Sequence, residues 1–452
     1  MRHFARTLPF LVCLATLAPG IAGSAESSSP SLPSESSLDV TEPPFGDHDF
    51  SWLNGSNRQP GSLLQFGPVT FSVYVDAYYA FQFSQPIDHT IFQSTTAARH
   101  NEISLNLAAV GIEVGGAGSV LSSRYGGPVG RLYLQYGSTT ETTAGQDGTT
   151  FRGSYLTQRA FIPIQQAAAG WHFPWLHGVN IEIGIFPSYI AMESYLPEEN
   201  WNYTHPFVSD FTPYYFSGNR TQIYFARNAK LELWLVNNWQ TFGQWHDTRA
   251  GGYLVNWRPH GWLSLTHSAY FGKDQPNDSR AKRLYTDNYV QLKYFQRGEG
   301  SFLRSLSAAL VADVGYESRT SVPSGVMAGA SLSNRFEFPR QVFVTLRGDI
   351  FYDESKALVI PLPTPYVLPG SALVPVQPWL GGGVALTGDY WPSPWLLLRL
   401  EYSHRWANQP YFSGHGGITG PGGFPPASPG TGFTPDLRRQ DDRIIVNATL
   451  RL

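Results

Sequence analysis

The sequence predicts an all-β fold: a transmembrane antiparallel β-barrel of about 16 strands, with 14 to 18 compatible, joined by long extracellular loops and short periplasmic turns. Three observations predict it. Side-chain character alternates with period two along most of the chain. Asp, Glu, Lys and Arg make up only 14% of the 452 residues, against about 25% in ordinary soluble proteins, while aromatics also reach 14%. The connections between predicted strands alternate between long and short. A mean hydropathy of −0.21 beside so many rings suits a sheet that is apolar on one face and wet on the other. The net charge of −3, from 31 basic and 34 acidic residues, excludes a strongly cationic nucleic-acid binder. The Leu, Val, Ile and Phe content excludes disorder for most of the chain.

Residues 1–25 read as an export signal. Arg2 and Arg6 give a positive start, Leu8 to Ala18 is an apolar run, and Gly23-Ser24-Ala25 supplies small residues for cleavage before Glu26. A membrane anchor, the alternative, needs about 20 apolar residues, and Pro19-Gly20 interrupts the run too early. The only cysteine, Cys13, lies in this segment, and Val12 before it is too large for a lipoprotein cleavage box. The mature chain is therefore expected to hold no disulfide, thiolate zinc site or Cys nucleophile. Residues 26–67 form a Ser/Pro-rich periplasmic segment, ending in a short patch around Phe50 to Gly55. The barrel is expected over 68–452.

Within it, Phe71, Val73, Val75, Ala77, Tyr79 and Phe81 alternate with Ser72, Tyr74, Asp76, Tyr78 and Gln82. Strand side chains alternate faces, so such a segment has one apolar and one polar side. The rhythm recurs in Ile103, Leu105, Leu107 and Ala109, in Leu231 to Leu235, in Val342 to Ile350 and in Leu396 to Tyr402. It closes on Ile444, Val446, Ala448, Leu450 and Leu452. Marking every run predicts strands over 70–83, 100–112, 129–138, 154–171, 178–187, 217–227, 229–239, 250–258, 261–271, 284–296, 302–315, 324–337, 340–352, 379–390, 394–406 and 441–452. Segments after odd strands are mostly long and those after even strands mostly tight, 113–128 being the exception. No stretch after residue 25 is long and apolar enough for a helical span. A backbone in hydrocarbon must bond internally, which leaves a closed barrel. Tyr78, Tyr79, Trp239, Trp257, Trp262, Trp391, Trp395 and Trp406 fit interfacial girdles. A soluble β-sandwich or propeller also alternates, but requires neither so few charges nor alternating loop lengths.

If the apolar set faces lipid, the polar set lines a lumen. The candidate lining residues are Asp76, Glu102, Arg131, Glu182, Lys230, Glu232, Arg258, Lys293, Arg347, Asp349, Arg399 and Glu401, with Arg335, Arg443, Arg451, Asp287, Asp313 and Asp389 on the same face. Acidic and basic members balance, so no strong ion selectivity follows. Lys230/Glu232, Arg347/Asp349 and Arg399/Glu401 place opposite charges two residues apart. They either neutralise a wet wall or form a constriction with a crossed field. The loop 188–216 is the candidate to fold inward, with Glu193, Glu198, Glu199, Trp201, Tyr203, His205 and Asp210 as its constriction residues. These either pack the loop on the wall or, as rings interleaved with carboxylates, bind sugars. The histidines lack metal-ligand spacing and the Gly-rich segments lack a P-loop ending, so no catalytic residue, metal or cofactor is expected. His246-Asp247 and Glu198/Glu199 leave a loop-borne hydrolase as the enzyme alternative.

The segments Asn202-Tyr203-Thr204-His205-Pro206-Phe207 and Tyr214-Tyr215-Phe216-Ser217-Gly218-Asn219-Arg220 carry a resemblance, together with Asn237-Asn238-Trp239, Asp76-Ala77-Tyr78-Tyr79 and Phe50 to Gly55. Over roughly residues 45 to 350 the chain resembles the OmpL-like β-barrel porin family. The Thr-His of the Asn-Tyr motif and the C-terminal Leu452, where most such barrels end in Phe, are departures. The resemblance implies an outer-membrane diffusion channel and supplies no ligand set. The expected function is passive passage of small hydrophilic solutes and ions. A saccharide-selective channel and a plugged surface-binding or adhesion barrel are the alternatives. Expected partners are outer-membrane lipid and lipopolysaccharide, the solutes, and the barrel-assembly machinery during biogenesis. No nucleic acid is expected, and a homo-oligomer is compatible with the reading.

Overall fold

The protein is seen in a computed structural model that describes residues 64–92, 94–115, 126–144, 147, 149, 158–275, 278–298, 300–320, 323–359, 377–419 and 435–452. The expected export signal, and the segment after it as far as residue 63, lie outside the described residues.

Sixteen strands span the sheet: β1 (Val69–Gln82), β2 (Ile103–Val114), β3 (Gly127–Tyr136), β4 (Ile164–Phe173), β5 (Val179–Pro187), β6 (Tyr215–Ala226), β7 (Ala229–Val236), β8 (Ala250–His260), β9 (Leu263–Gly272), β10 (Lys282–Gln296), β11 (Ser305–Ser318), β12 (Gly325–Phe338), β13 (Val342–Asp353), β14 (Trp379–Ser393), β15 (Leu396–Ala407) and β16 (Gln440–Arg451). Each pairs antiparallel with the next, and β16 closes on β1 from Arg443 opposite Gln82 to Arg451 opposite Tyr74. Leu452 completes the seam, exchanging two backbone hydrogen bonds with Val73 at 3.0 and 2.8 Å. Closure leaves no edge strand, the condition for a sheet in hydrocarbon, where each unmade backbone bond costs several kcal/mol.

The barrel is inside-out relative to a soluble protein. On β16, Asp441, Arg443, Asn447, Thr449 and Arg451 are buried, while Ile444 and Leu450 are exposed. Ile183, Val110, Leu132, Leu310, Leu332, Leu346, Leu386 and Leu400 are likewise exposed on the outer face. A charge placed there would cost about 2–4 kcal/mol at mid-bilayer. Trp171, Trp175, Trp257 and Trp262 stand exposed near the short-turn rim, an interfacial aromatic band.

Several expectations need correction. β4 begins at Ile164, not near 154, because Gln158–Phe161 is a helical turn and Pro163 ends it. The alternation on β2 breaks at a β-bulge. Asp76 pairs with Leu107 and Ala77 with Leu105, so Asn106 is the extra residue. Beyond it the faces exchange, and Leu107 and Ala109 turn inward while Val110 faces out. Tyr78 is no girdle residue: it is buried and its hydroxyl accepts a bond from the Arg99 amide at 2.9 Å. Trp239 lies in a loop, packed edge-on against Tyr270 and Tyr285.

Candidate functional site: the lumen and its inner loop

The segment 188–214, between β5 and β6, turns into the barrel and is held there by its own geometry first. Asn200 ties the chain back on itself, accepting from the Ser194 amide at 2.7 Å and donating to the Ser194 carbonyl at 2.9 Å. Pro197 opens a 3-10 turn over Pro197–Glu199, and Pro206 precedes a helical turn at Phe207–Asp210. The first amide of that turn, from Phe207, donates to Asp349 Oδ2 on β13 at 3.0 Å. A wall carboxylate thus supplies the N-terminal partner that the loop lacks.

From there the loop is bonded across the lumen. Glu401 on β15 accepts from the Tyr203 amide at 2.6 Å and the Thr204 amide at 3.1 Å. Tyr203 donates its hydroxyl to Asp76 on β1 at 2.7 Å, and Asn202 donates to Thr387 on β14 at 2.6 Å. Arg399 reaches the carbonyls of Pro197 and Asn200 at 2.9 and 2.8 Å while holding Asp389 at 2.6 Å. Arg405 binds Asp210 at 2.5 Å, the His205 carbonyl at 3.2 Å, and lies 3.9 Å over the Phe207 ring. Arg347 donates to the Thr204 carbonyl and to that of His205. Arg451 bridges Glu198 and Glu199 at 2.7 and 2.9 Å. At the loop root, Tyr189 donates to the Ala269 carbonyl at 3.1 Å, passing so close to β8 that any side chain at Gly252 would collide with its hydroxyl.

The remaining candidates fall into separate groups. Arg131 bonds Glu182 at 2.9 Å, and Glu182 also holds Arg220, which stacks 4.8 Å from Phe186. Lys230 pairs with Glu232 at 2.7 Å, and Trp234 and Gln222 donate to the same carboxylate. Arg347 and Asp349 lie 3.6 Å apart. Arg399 and Glu401, expected as partners, serve different groups: Asp389 and loop carbonyls for the first, loop amides for the second. Arg258 is buried on the inner face, and Lys293 is half-buried near the short-turn rim. Glu102 is a correction. It precedes β2, in the first long loop, partly exposed and paired with Arg99 at 2.9 Å. Trp201 is buried, with Arg335 5.9 Å from its ring. Glu193 accepts from Ser209. His205 touches Thr95 and Tyr214 through Nδ1 at 3.2 Å each, and both hydroxyls donate to Asp210.

Two loop carboxylates titrate in opposite senses. Burial pushes Asp210 up, but the Arg405 guanidinium and His205 outweigh it and hold the group below the usual carboxylate range. At Glu198 burial prevails over Arg451, and the group lies above its usual value.

On the opposite side the loop leaves a gap. A cavity of about 90 Å³ for water-sized occupants lies between Glu193, Tyr195 and Tyr214 of the loop and Gln135, Gln165 and Gln166 of β3 and β4. Nothing in the period-two reading singled out these glutamines. Gln165 is the extra residue of a β-bulge, since Tyr133 pairs with Gln166 and Leu134 with Ile164. Alternation counts cannot see a bulge that turns two successive residues inward.

The family model described as "Putative beta-barrel porin-2, OmpL-like" matches residues 68–421, further toward the C-terminus than the motifs alone indicated. No curated protein matches the sequence. Among solved structures, the in-vitro folded outer membrane protein OmpT of Vibrio cholerae aligns at 9% identity, covering 85% of this chain and 97% of its own, with a TM-score of 0.48. An anion-selective porin from Comamonas acidovorans aligns at 8% identity over 85% and 99%, TM-score 0.49. OmpF of Salmonella typhi, in complex with daunomycin, aligns at 9% over 85% and 97%, TM-score 0.46. Likeness at this level says nothing about the solute. A closed sixteen-stranded barrel with an apolar exterior and a polar interior, matched by the family model over most of its length, belongs to the OmpL-like β-barrel porin family and is an outer-membrane porin.

Proposed function

We propose that this porin passes small hydrophilic solutes and ions passively, through a passage narrowed by the inner loop rather than through the full barrel bore. The observation that carries this is the bonding of segment 188–214 to inner-face residues of β1, β9, β13, β14, β15 and β16. A barrel of this strand number is wide enough for an aqueous channel, and a loop fixed across it sets the bore. The loop carboxylates and wall cations are engaged with one another, which supports a holding role for them in place of catalysis. Outer-membrane lipid and lipopolysaccharide are the partners its exterior fits. Insertion by the barrel-assembly machinery and assembly as a homo-oligomer belong to the same reading.

The test is single-channel conductance of refolded protein in planar bilayers, with the loop intact and with residues 192–211 replaced by a short Gly/Ser link. Small steady ohmic steps that grow on replacement are expected. Silence in both forms, with a heat-modifiable folded barrel on gels, would overturn an open passage and favour the plugged, surface-binding alternative.

A further inference from the structure

We propose that the cavity between the inner loop and strands β3 and β4 is a binding site for neutral polyhydroxylated solutes of monosaccharide size, met during passage through the channel; this rests on the channel reading above. Three amide side chains make the site. Gln135 projects inward from β3, and the bulge at Gln165 turns both Gln165 and Gln166 inward from β4. Bulges recur where a strand must re-aim a side chain next to a functional site. All three residues are more than nine-tenths buried. Gln135 Oε1, Gln165 Nε2 and Gln166 Oε1 have no hydrogen-bond partner among the described residues. Buried polar groups left unpaired are disfavoured, so these atoms call for an occupant.

The pattern of those atoms selects its chemistry. Two are acceptors and one is a donor, and a hydroxyl both gives and takes. An anion would meet two amide oxygens and the carboxylates of Glu193 and Glu199, while the guanidinium in the lining, Arg451, is already held by Glu198 and Glu199. A bare cation would meet the Gln165 N–H and Arg451, and the two carboxylates are already taken by Ser209, Ser194 and Arg451. Tyr133, Tyr195 and Tyr214 present rings to the same space, suited to the C–H faces of a sugar ring. The volume of about 90 Å³ holds roughly six to nine waters, a quantity one sugar ring can replace.

The charged residues of the lumen cannot fill this role, because the wall cations Arg347, Arg399, Arg405 and Arg451 are bound to the loop. The site lies beside the end where Arg451 holds Glu199, and its unpaired amide atoms take no part in that docking.

The experiment is block of KCl current through the full-length channel in planar bilayers by glucose and sorbitol, with glutamate as the anionic probe. Glucose and sorbitol are expected to reduce the current in a saturable way, and glutamate to leave it unchanged. In Gln165→Leu and Gln166→Leu, half-block by glucose, scaled to each variant's own KCl current, should need about tenfold more sugar, as losing one or two hydrogen bonds implies. Gln165→Glu keeps shape but exchanges the unpaired donor for an acceptor, so it covers failure of the leucine variants to fold, and it should also weaken block. Glu102→Gln, outside the site, should match the unmodified channel. KCl steps without sugar block, or block that the glutamine variants leave unaltered, would overturn the site, with only water in the cavity. Absence of KCl steps in the unmodified protein would instead overturn the channel reading on which the site depends.

Discussion

The two sides of the lumen do different work with different chemistry. On the β13–β16 side, buried Arg347, Arg399, Arg405, Glu401 and Arg451 are all bonded to the inner loop. On the β3–β4 side, uncharged Gln135, Gln165 and Gln166 line a cavity beside the loop, each with one unpaired amide atom. Charge is strong enough to fix a loop of this length in place because its partners are charges and backbone groups shielded from water. A passing solute needs weaker, exchangeable contacts, the role proposed for the amides. Formal charges in a barrel interior therefore need not mark the solute's path.

The largest way to break this contrast is to strip the docked side. Arg405→Ala leaves Asp210 buried without its cation, a loss of about 3–5 kcal/mol when one partner of a buried pair is removed. The loop should detach at its far end, giving larger and noisier conductance steps and new protease cleavage within 188–214, while the barrel stays heat-modifiable. Glu401→Gln should do the same more weakly. It removes the charge from the bonds to the Tyr203 and Thr204 amides, worth about 1.5–3 kcal/mol each for a charged partner.

The open side can be sharpened in the other direction. In Gln166→Arg a cation enters the cavity beside Glu193 and adds one positive charge to the passage. Reversal potentials in a KCl gradient should move toward chloride by a permeability ratio on the order of twofold or more. Removing Arg405 leaves the Asp210 carboxylate unmatched, so Arg405→Ala should move them the other way, toward potassium.

Acid provides the smallest and most gradual perturbation. Asp210 is held below its unfolded value, so its contribution to docking is complete above about pH 4 and is lost as pH falls through its lowered value. Glu198 is raised, so it acts with opposite sign: its contribution is present below about pH 4.3 and fades as pH climbs through the raised value. Conductance recorded from pH 7 to pH 3 should not rise, because Asp210 keeps its charge over that range, and Asp210→Asn should give larger steps already at pH 7.

Much of the architecture was legible because lipid punishes errors of pattern. Each of the sixteen strands is announced by apolar residues at alternate positions, and only the start of β4 was misplaced by more than a few residues, where the helical turn Gln158–Phe161 carries apolar residues of its own. The loop 188–216 stands out in the sequence for its rings interleaved with carboxylates, but the wall groups it meets are not legible there. Arg399 and Glu401 sit two residues apart on one face, and spacing alone pairs them, whereas the fold gives each a different loop partner. The bulges at Asn106 and Gln165 were invisible because each adds one residue without any compositional mark. Those two positions decide which side chains reach the lumen, and one of them builds the amide cavity.

The proposed passage requires the loop to stay bonded to the far wall while the channel conducts. Cys13 is the only cysteine in the chain, so a Cys13→Ser background makes a clean test. With Asn202→Cys and Thr387→Cys introduced where the two native side chains touch at 2.6 Å, single-channel conductance is measured before and after oxidation and again after reduction. A disulfide that forms readily and leaves the step size unchanged is the predicted result. Failure of the pair to cross-link in the folded barrel, or steps that collapse or expand when it does, would contradict the account.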